Sequence, residues 1–165
     1  MYKFMKMLLV VTLFMITTNL GNAQSPQGKT MGVGVMLGDA NGATLKLWQG
    51  GDVAYNIYLT NSFFGNITIG ADYMKHFNAF NSKVFNLHLA GGALIGTGKG
   101  GGIGYRDYNY TRSGSTGIAL RGMLGVNYIP NNTPLEVTAE IGPLLSLTPG
   151  FGMFVMADFG VRLYL

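Results

Sequence analysis

The chain has no cysteine and little charge: 11% of its residues are Asp, Glu, Lys or Arg. Soluble domains run near a quarter. The missing cysteine excludes disulfides, thiolate metal sites and a cysteine-linked lipid anchor. The missing charge leaves little with which to cover a water-facing surface. A second long apolar run, of the kind that makes a membrane helix, is also absent after the first 16 residues. Yet 48% of the residues are hydrophobic. High apolar content without long apolar runs points to alternation, and so to strands.

What is present begins with an export signature. Lys3 and Lys6 precede the apolar stretch Met7–Ile16, and Gly21 and Ala23 stand at small-residue cleavage positions. The expectation is a signal peptide over 1–23 and one domain over 24–165. Loss of Lys3 and Lys6 takes the formal charge from +4 to +2. Lys99, Arg106 and Arg112 with Asp107 carry that +2 in one glycine-rich stretch, so no basic face remains for nucleic acid.

The remainder divides into eight alternating segments: Met31–Asp39, Ala43–Gln49, Val53–Asn61, Ile67–Phe77, Lys83–Ile95, Thr116–Ile129, Leu135–Leu145 and Met153–Leu165. Turn residues separate them, among them Asp39–Gly42, Gln49–Asp52, Phe63–Asn66 and Pro130–Pro134. Successive side chains of a strand point to opposite faces. One face is apolar almost throughout. The other collects Lys46, Asp72, His76, His88, Arg121, Glu136, Glu140, Asp158 and Arg162, interspersed with glycine and alanine.

An even number of two-faced strands of this length predicts an all-β fold, an eight-stranded antiparallel up-and-down transmembrane β-barrel with lipid outside and charge inside. Tyr55, Tyr73, Phe77, Phe85 and Tyr128 would form an outward aromatic girdle at one edge, with Phe63, Phe64 and Phe151 near the other. In a narrow lumen unpaired charge is costly. A structural network of Lys46, Asp72, His88, Arg121, Glu136, Glu140, Asp158 and Arg162 is therefore expected. Glu140 is placed between Arg121 and Arg162, and Asp72 opposite His88.

This pattern, ending in "MFVMADFGVRLYL" at Met153–Leu165, resembles the small eight-stranded outer-membrane β-barrels of the OmpA-transmembrane and OmpX-like group. The resemblance is architectural and covers Met31–Leu165. It implies a monomer in a bacterial outer membrane, with lipid and the barrel-assembly machinery as partners. In that group the last residue is usually aromatic; here the chain ends Tyr164-Leu165.

Motifs for chemistry are thin. "AQSPQGKT" at Ala23–Thr30 matches a relaxed phosphate-loop pattern but follows a cleavage site and precedes a strand. Gly96, Gly98 and Gly101 match a dinucleotide pattern but open no helix. His76 and His88 lack metal-ligand spacing. No nucleophile elbow or triad is visible. No catalytic residue, metal or cofactor is expected. A narrow channel, a soluble lipocalin-like barrel and, more remotely, a lipid-modifying enzyme stay open as alternatives. The remaining candidate is the stretch Gly96–Ser115, where Tyr105, Arg106, Tyr108, Tyr110 and Arg112 alternate with small residues. Tyrosine and arginine are recurrent anchors of binding surfaces, so this loop is the candidate site for an extracellular ligand.

Overall fold

A computed structural model describes residues 28–98 and 115–165. Eight strands run in order: β1 Met31–Gly38, β2 Ala40–Gly50, β3 Val53–Ser62, β4 Gly65–Phe77, β5 Phe85–Thr97, β6 Thr116–Tyr128, β7 Leu135–Thr148 and β8 Gly152–Tyr164. Each pairs antiparallel with its neighbours, and β1 pairs with β8, so the sheet closes into a barrel. No helix among these residues is long and apolar enough to cross a membrane, which says nothing of strands. The signal-peptide region 1–23 lies outside the described residues.

The strand faces follow the alternation. In β8 Met156, Asp158, Gly160, Arg162 and Tyr164 are buried while Val155, Ala157, Phe159, Val161 and Leu163 are exposed. The register fixes the barrel's shape. From Glu136 the in-register partners are Arg162, Gly34, Thr44, Tyr58, Gly70, Leu94 and Ala119, and the circuit returns to β7 at Ser146, ten residues further along. A stagger of that size in eight strands tilts them about 40° from the axis and leaves an interior that side chains fill. We call the end where β1 begins and β8 stops the base, and the other end the rim.

Two details depart from the sequence expectation. The turn placed at Asp39–Gly42 is tighter. Only Asp39 lies between β1 and β2, and Gly42 sits in the ladder opposite Met36. The Asn41 side chain makes this turn possible: its Oδ1 accepts from Gly38 N at 3.1 Å and its Nδ2 donates to Gly38 O at 3.0 Å. β7 runs past the expected end at Leu145 to Thr148, so that Pro143 lies well inside the strand. The β6–β7 ladder steps from Leu124↔Ile141 to Arg121↔Leu144, with no pairing at Gly122 and Met123. Proline has no N–H to offer there.

Candidate functional site

The inward face is the chemically rich part of the molecule. Lys46, Asp72, His76, His88, Arg121, Glu136, Glu140, Asp158 and Arg162 all point into the lumen, none more than 5% exposed. They form linked groups from base to rim.

At the base Glu136 is the hub. It accepts from Lys46 Nζ at 2.9 and 3.1 Å, from Arg162 Nη1 at 3.0 Å and from the Tyr164 hydroxyl. The same hydroxyl accepts from Trp48 Nε1 at 2.9 Å. Lys46 Nζ also lies 2.9 Å from His76 Nε2. An ammonium has only donors, so Nε2 accepts, and His76 Nδ1 carries the proton facing Asp52 O at 3.2 Å. The Trp48 and His76 rings lie 4.3 Å apart and the His76 and His88 rings 5.3 Å apart, making a short column of rings.

Higher in the lumen Arg121 Nε donates to both Asp72 oxygens, at 3.0 and 3.1 Å, and Nη2 to Oδ2. Arg121 Nη1 lies 3.5 Å from Asp158 Oδ2, and the guanidinium covers the Tyr58 ring at 4.2 Å. Asp158 Oδ1 accepts from Ala40 N at 2.8 Å, and Asp39 Oδ2 from Ala157 N at 2.9 Å. These two bonds staple β1–β2 to β8 at the rim. His88 Nε2 meets Glu140 Oε1 at 3.1 Å.

One rule explains how these partners reach each other. His88, Gly125 and Glu140 lie on one rung of β5, β6 and β7; Asp72, Gly92 and Arg121 on one rung of β4, β5 and β6; Arg162, Gly34 and Thr44 on one rung of β8, β1 and β2. In each case a long polar side chain passes over a glycine to a partner two strands away. A Cβ on Gly125 would strike the His88 ring, and one on Gly92 would strike Asp72. Arg162, having crossed Gly34, reaches Thr44 Oγ1 at 3.3 Å and Asn56 Oδ1 at 3.4 Å.

The expected pairings are corrected accordingly. Glu140 does lie on β7 between the rungs of Arg162 and Arg121, but it makes an ion pair with neither; it pairs with His88, and Glu136 is the carboxylate that bridges two cations, Lys46 and Arg162. Asp72 does not face His88; it binds Arg121, because the β4–β5 register sets Asp72 against Gly92 and His88 against His76.

The outer positions also need correction. Tyr55, Tyr73, Phe85 and Tyr128 are 40–46% exposed near the base, paired as Tyr55–Tyr73 and Phe85–Tyr128 with ring centroids 5.8 and 5.0 Å apart. Phe77 does not join them. It is 7% exposed, being the last residue of β4, where His76 and Phe77 are buried in succession and the alternation has ended. Phe63 and Phe64 are fully buried and Phe151 is 81% exposed. The β3–β4 turn is drawn inward by Ser62, whose Oγ accepts from Phe64 N at 3.1 Å and lies 3.0 Å from Thr68 Oγ1. Its two rings, with Leu94, Leu144 and Met156, make an apolar stopper at the rim.

These polar groups are enclosed in the lumen and are held chiefly by one another. Among the described residues no three His, Asp or Glu side chains converge to hold a metal ion. Tyr105, Arg106, Tyr108, Tyr110 and Arg112 lie outside the described residues. No family model, no curated protein and no solved structure matches the chain.

Proposed function

We propose that the protein is an integral outer-membrane β-barrel with a structural role in the envelope, and that its β5–β6 connection is a surface recognition loop. The observation that carries the reading is the polarity of the wall. Among the described residues the outward strand positions carry a single charge, Lys75, which lies near the base beside Asp52. Twenty-eight large apolar side chains are at least 38% exposed; all but Phe80, Phe151 and Leu165 occur on strands, seven of the eight, and Leu45 and Leu47 are half-buried on the eighth. Monomeric soluble proteins rarely expose apolar patches beyond a few hundred Å², and a soluble barrel places its charges outside. A thirteen-residue strand tilted by about 40° rises roughly 30 Å, enough for the apolar band of about 25 Å that such barrels present to lipid.

A lumen crossed by Lys46–Glu136–Arg162 and Asp72–Arg121–Asp158, and stoppered by Phe63 and Phe64, favours a structural body over an open channel. The test is fractionation with heat-modifiable gel migration. The reading expects the chain in the outer-membrane fraction, running faster unboiled than boiled. A soluble periplasmic protein with unshifted mobility would refute it. For the loop, deletion of 99–114 should leave the barrel inserted and abolish any adhesion the intact protein confers; retained adhesion would rule the loop out.

A further inference from the structure

The outer wall is not evenly filled. Toward the base of β5, β6 and β7, the outward residues Leu87, Leu124, Val126, Ala139 and Ile141 line a groove of about 230 Å³, with Gly125 and Glu140 between them. Its origin is Ala139. The register sets this residue between Val126 and Phe159, and its single methyl leaves open a volume that larger side chains fill beside it. Toward the rim the wall stays bare at the rung Gly91↔Gly122, where a Cβ on Gly91 would meet nothing within 4 Å. A site that encloses a drug-sized ligand occupies about 300–1,000 Å³. This groove is smaller, wholly apolar in its outward side chains and open along its length. It suits a segment of a longer, unbranched apolar molecule.

The base end of the groove supplies the other half of the recognition. The next outward-facing rung below Leu87↔Val126 is Phe85↔Tyr128, and Lys83 follows it, exposed. The other outward cations at this end are engaged: Lys75 lies 3.8 Å from Asp52, and Lys29 Nζ donates to Tyr164 O at 3.2 Å. Among the described residues no carboxylate lies within ion-pair distance of Lys83. An apolar slot thus runs to an aromatic rung and an unneutralised cation, in the order in which an acyl chain, a glycerol backbone and an anionic headgroup follow one another in a leaflet. We infer that the groove binds one acyl chain of an anionic glycerophospholipid, whose phosphate is held by Lys83 beside Tyr128. The inference rests on the membrane reading above.

The experiment places the full-length barrel in phosphatidylcholine nanodiscs with a trace of spin-labelled phosphatidylglycerol or spin-labelled phosphatidylcholine. The immobilised fraction of each label is measured. One lysine near a membrane surface should favour the anionic label roughly fivefold. Lys83→Gln should bring the two labels to parity. Ala139→Leu, which fills the groove, should lower immobilisation of both, and Ala139→Val does the same with less crowding. Equal binding of the two labels by the wild type, or labels indifferent to both Lys83→Gln and the Ala139 variants, overturns the site. Heat-modifiable mobility is read on the same samples. A shifted band with no lipid preference refutes the lipid site alone, whereas an unshifted band refutes the membrane reading and takes the site with it.

Discussion

Glu136→Gln is the sharpest test of how the lumen is held. The carboxylate is fully buried and receives both Lys46 and Arg162. The amide keeps the shape and removes the charge, leaving two buried cations with no carboxylate between them. Breaking one buried ion pair costs about 3–5 kcal/mol. With two cations released, the upper end, about 5 kcal/mol, is expected. Trp48 is the chain's single tryptophan, and it hydrogen-bonds Tyr164 within this same cluster, its ring 4.8 Å from Lys46 Nζ. Its fluorescence during urea unfolding of the detergent-folded barrel therefore reports on the perturbed site directly. With a slope of about 2 kcal/mol per molar, the midpoint should fall by roughly 2.5 M. Adding Lys46→Met removes one stranded cation and should restore about 1–3 kcal/mol. A midpoint shift under about 0.5 M for the single variant, or a double variant worse than the sum of the two singles, would refute the view that Glu136 is the hub.

The rung rule predicts opposite outcomes for two glycines. Gly125→Ala, which meets the His88 ring, should cost about 1–3 kcal/mol, while Gly91→Ala, which meets open space, should be nearly neutral in the same unfolding assay. At the rim, Phe64→Ala should cost about 3–5 kcal/mol and Phe151→Ala less than about 0.5, since the first ring is fully buried and the second is 81% exposed. On the outer wall, Ile57→Arg should cost about 2–4 kcal/mol in lipid vesicles; an undiminished stability there would contradict a lipid-facing wall.

Much of the fold could be read in the sequence because the period of a strand is short and the contrast between its faces is strong. Met153–Leu165 alternates without a break, and Leu135–Leu145 nearly so; each therefore assigns its faces without reference to any neighbour. Pairings across strands were harder. They depend on register, and nothing in a single strand states which residue of the next will stand beside it. Asp72 and His88 share the correct face and belong to adjacent strands, yet they are two rungs of the same face apart, because His88 stands opposite His76. A usable signal existed in Gly92, Gly125 and Gly34, which read in the sequence only as small residues making room. Their meaning, one glycine between two partners, emerges once the rungs are known. The aromatic positions failed where local geometry overrides alternation. Ser62 and Thr68 pull the Phe63–Phe64 turn over the lumen through hydroxyl contacts, and no periodicity announces them.

The stagger of the wall has a consequence for how the molecule can come into being. Lys46 and Glu136 are ninety residues apart, and the bond from Ala40 N to Asp158 spans 118. These groups become neighbours only when β8 meets β1. A sheet that has grown strand by strand but has not closed holds Lys46 without Glu136, and Asp158 without Ala40. Loop closure over such distances is entropically demanding before any contact rewards it. The charges that stabilise the finished lumen therefore penalise every open form that has already lost water from its inner face. Closing the barrel and pairing these charges are thus coupled at the seam between the first and last strands.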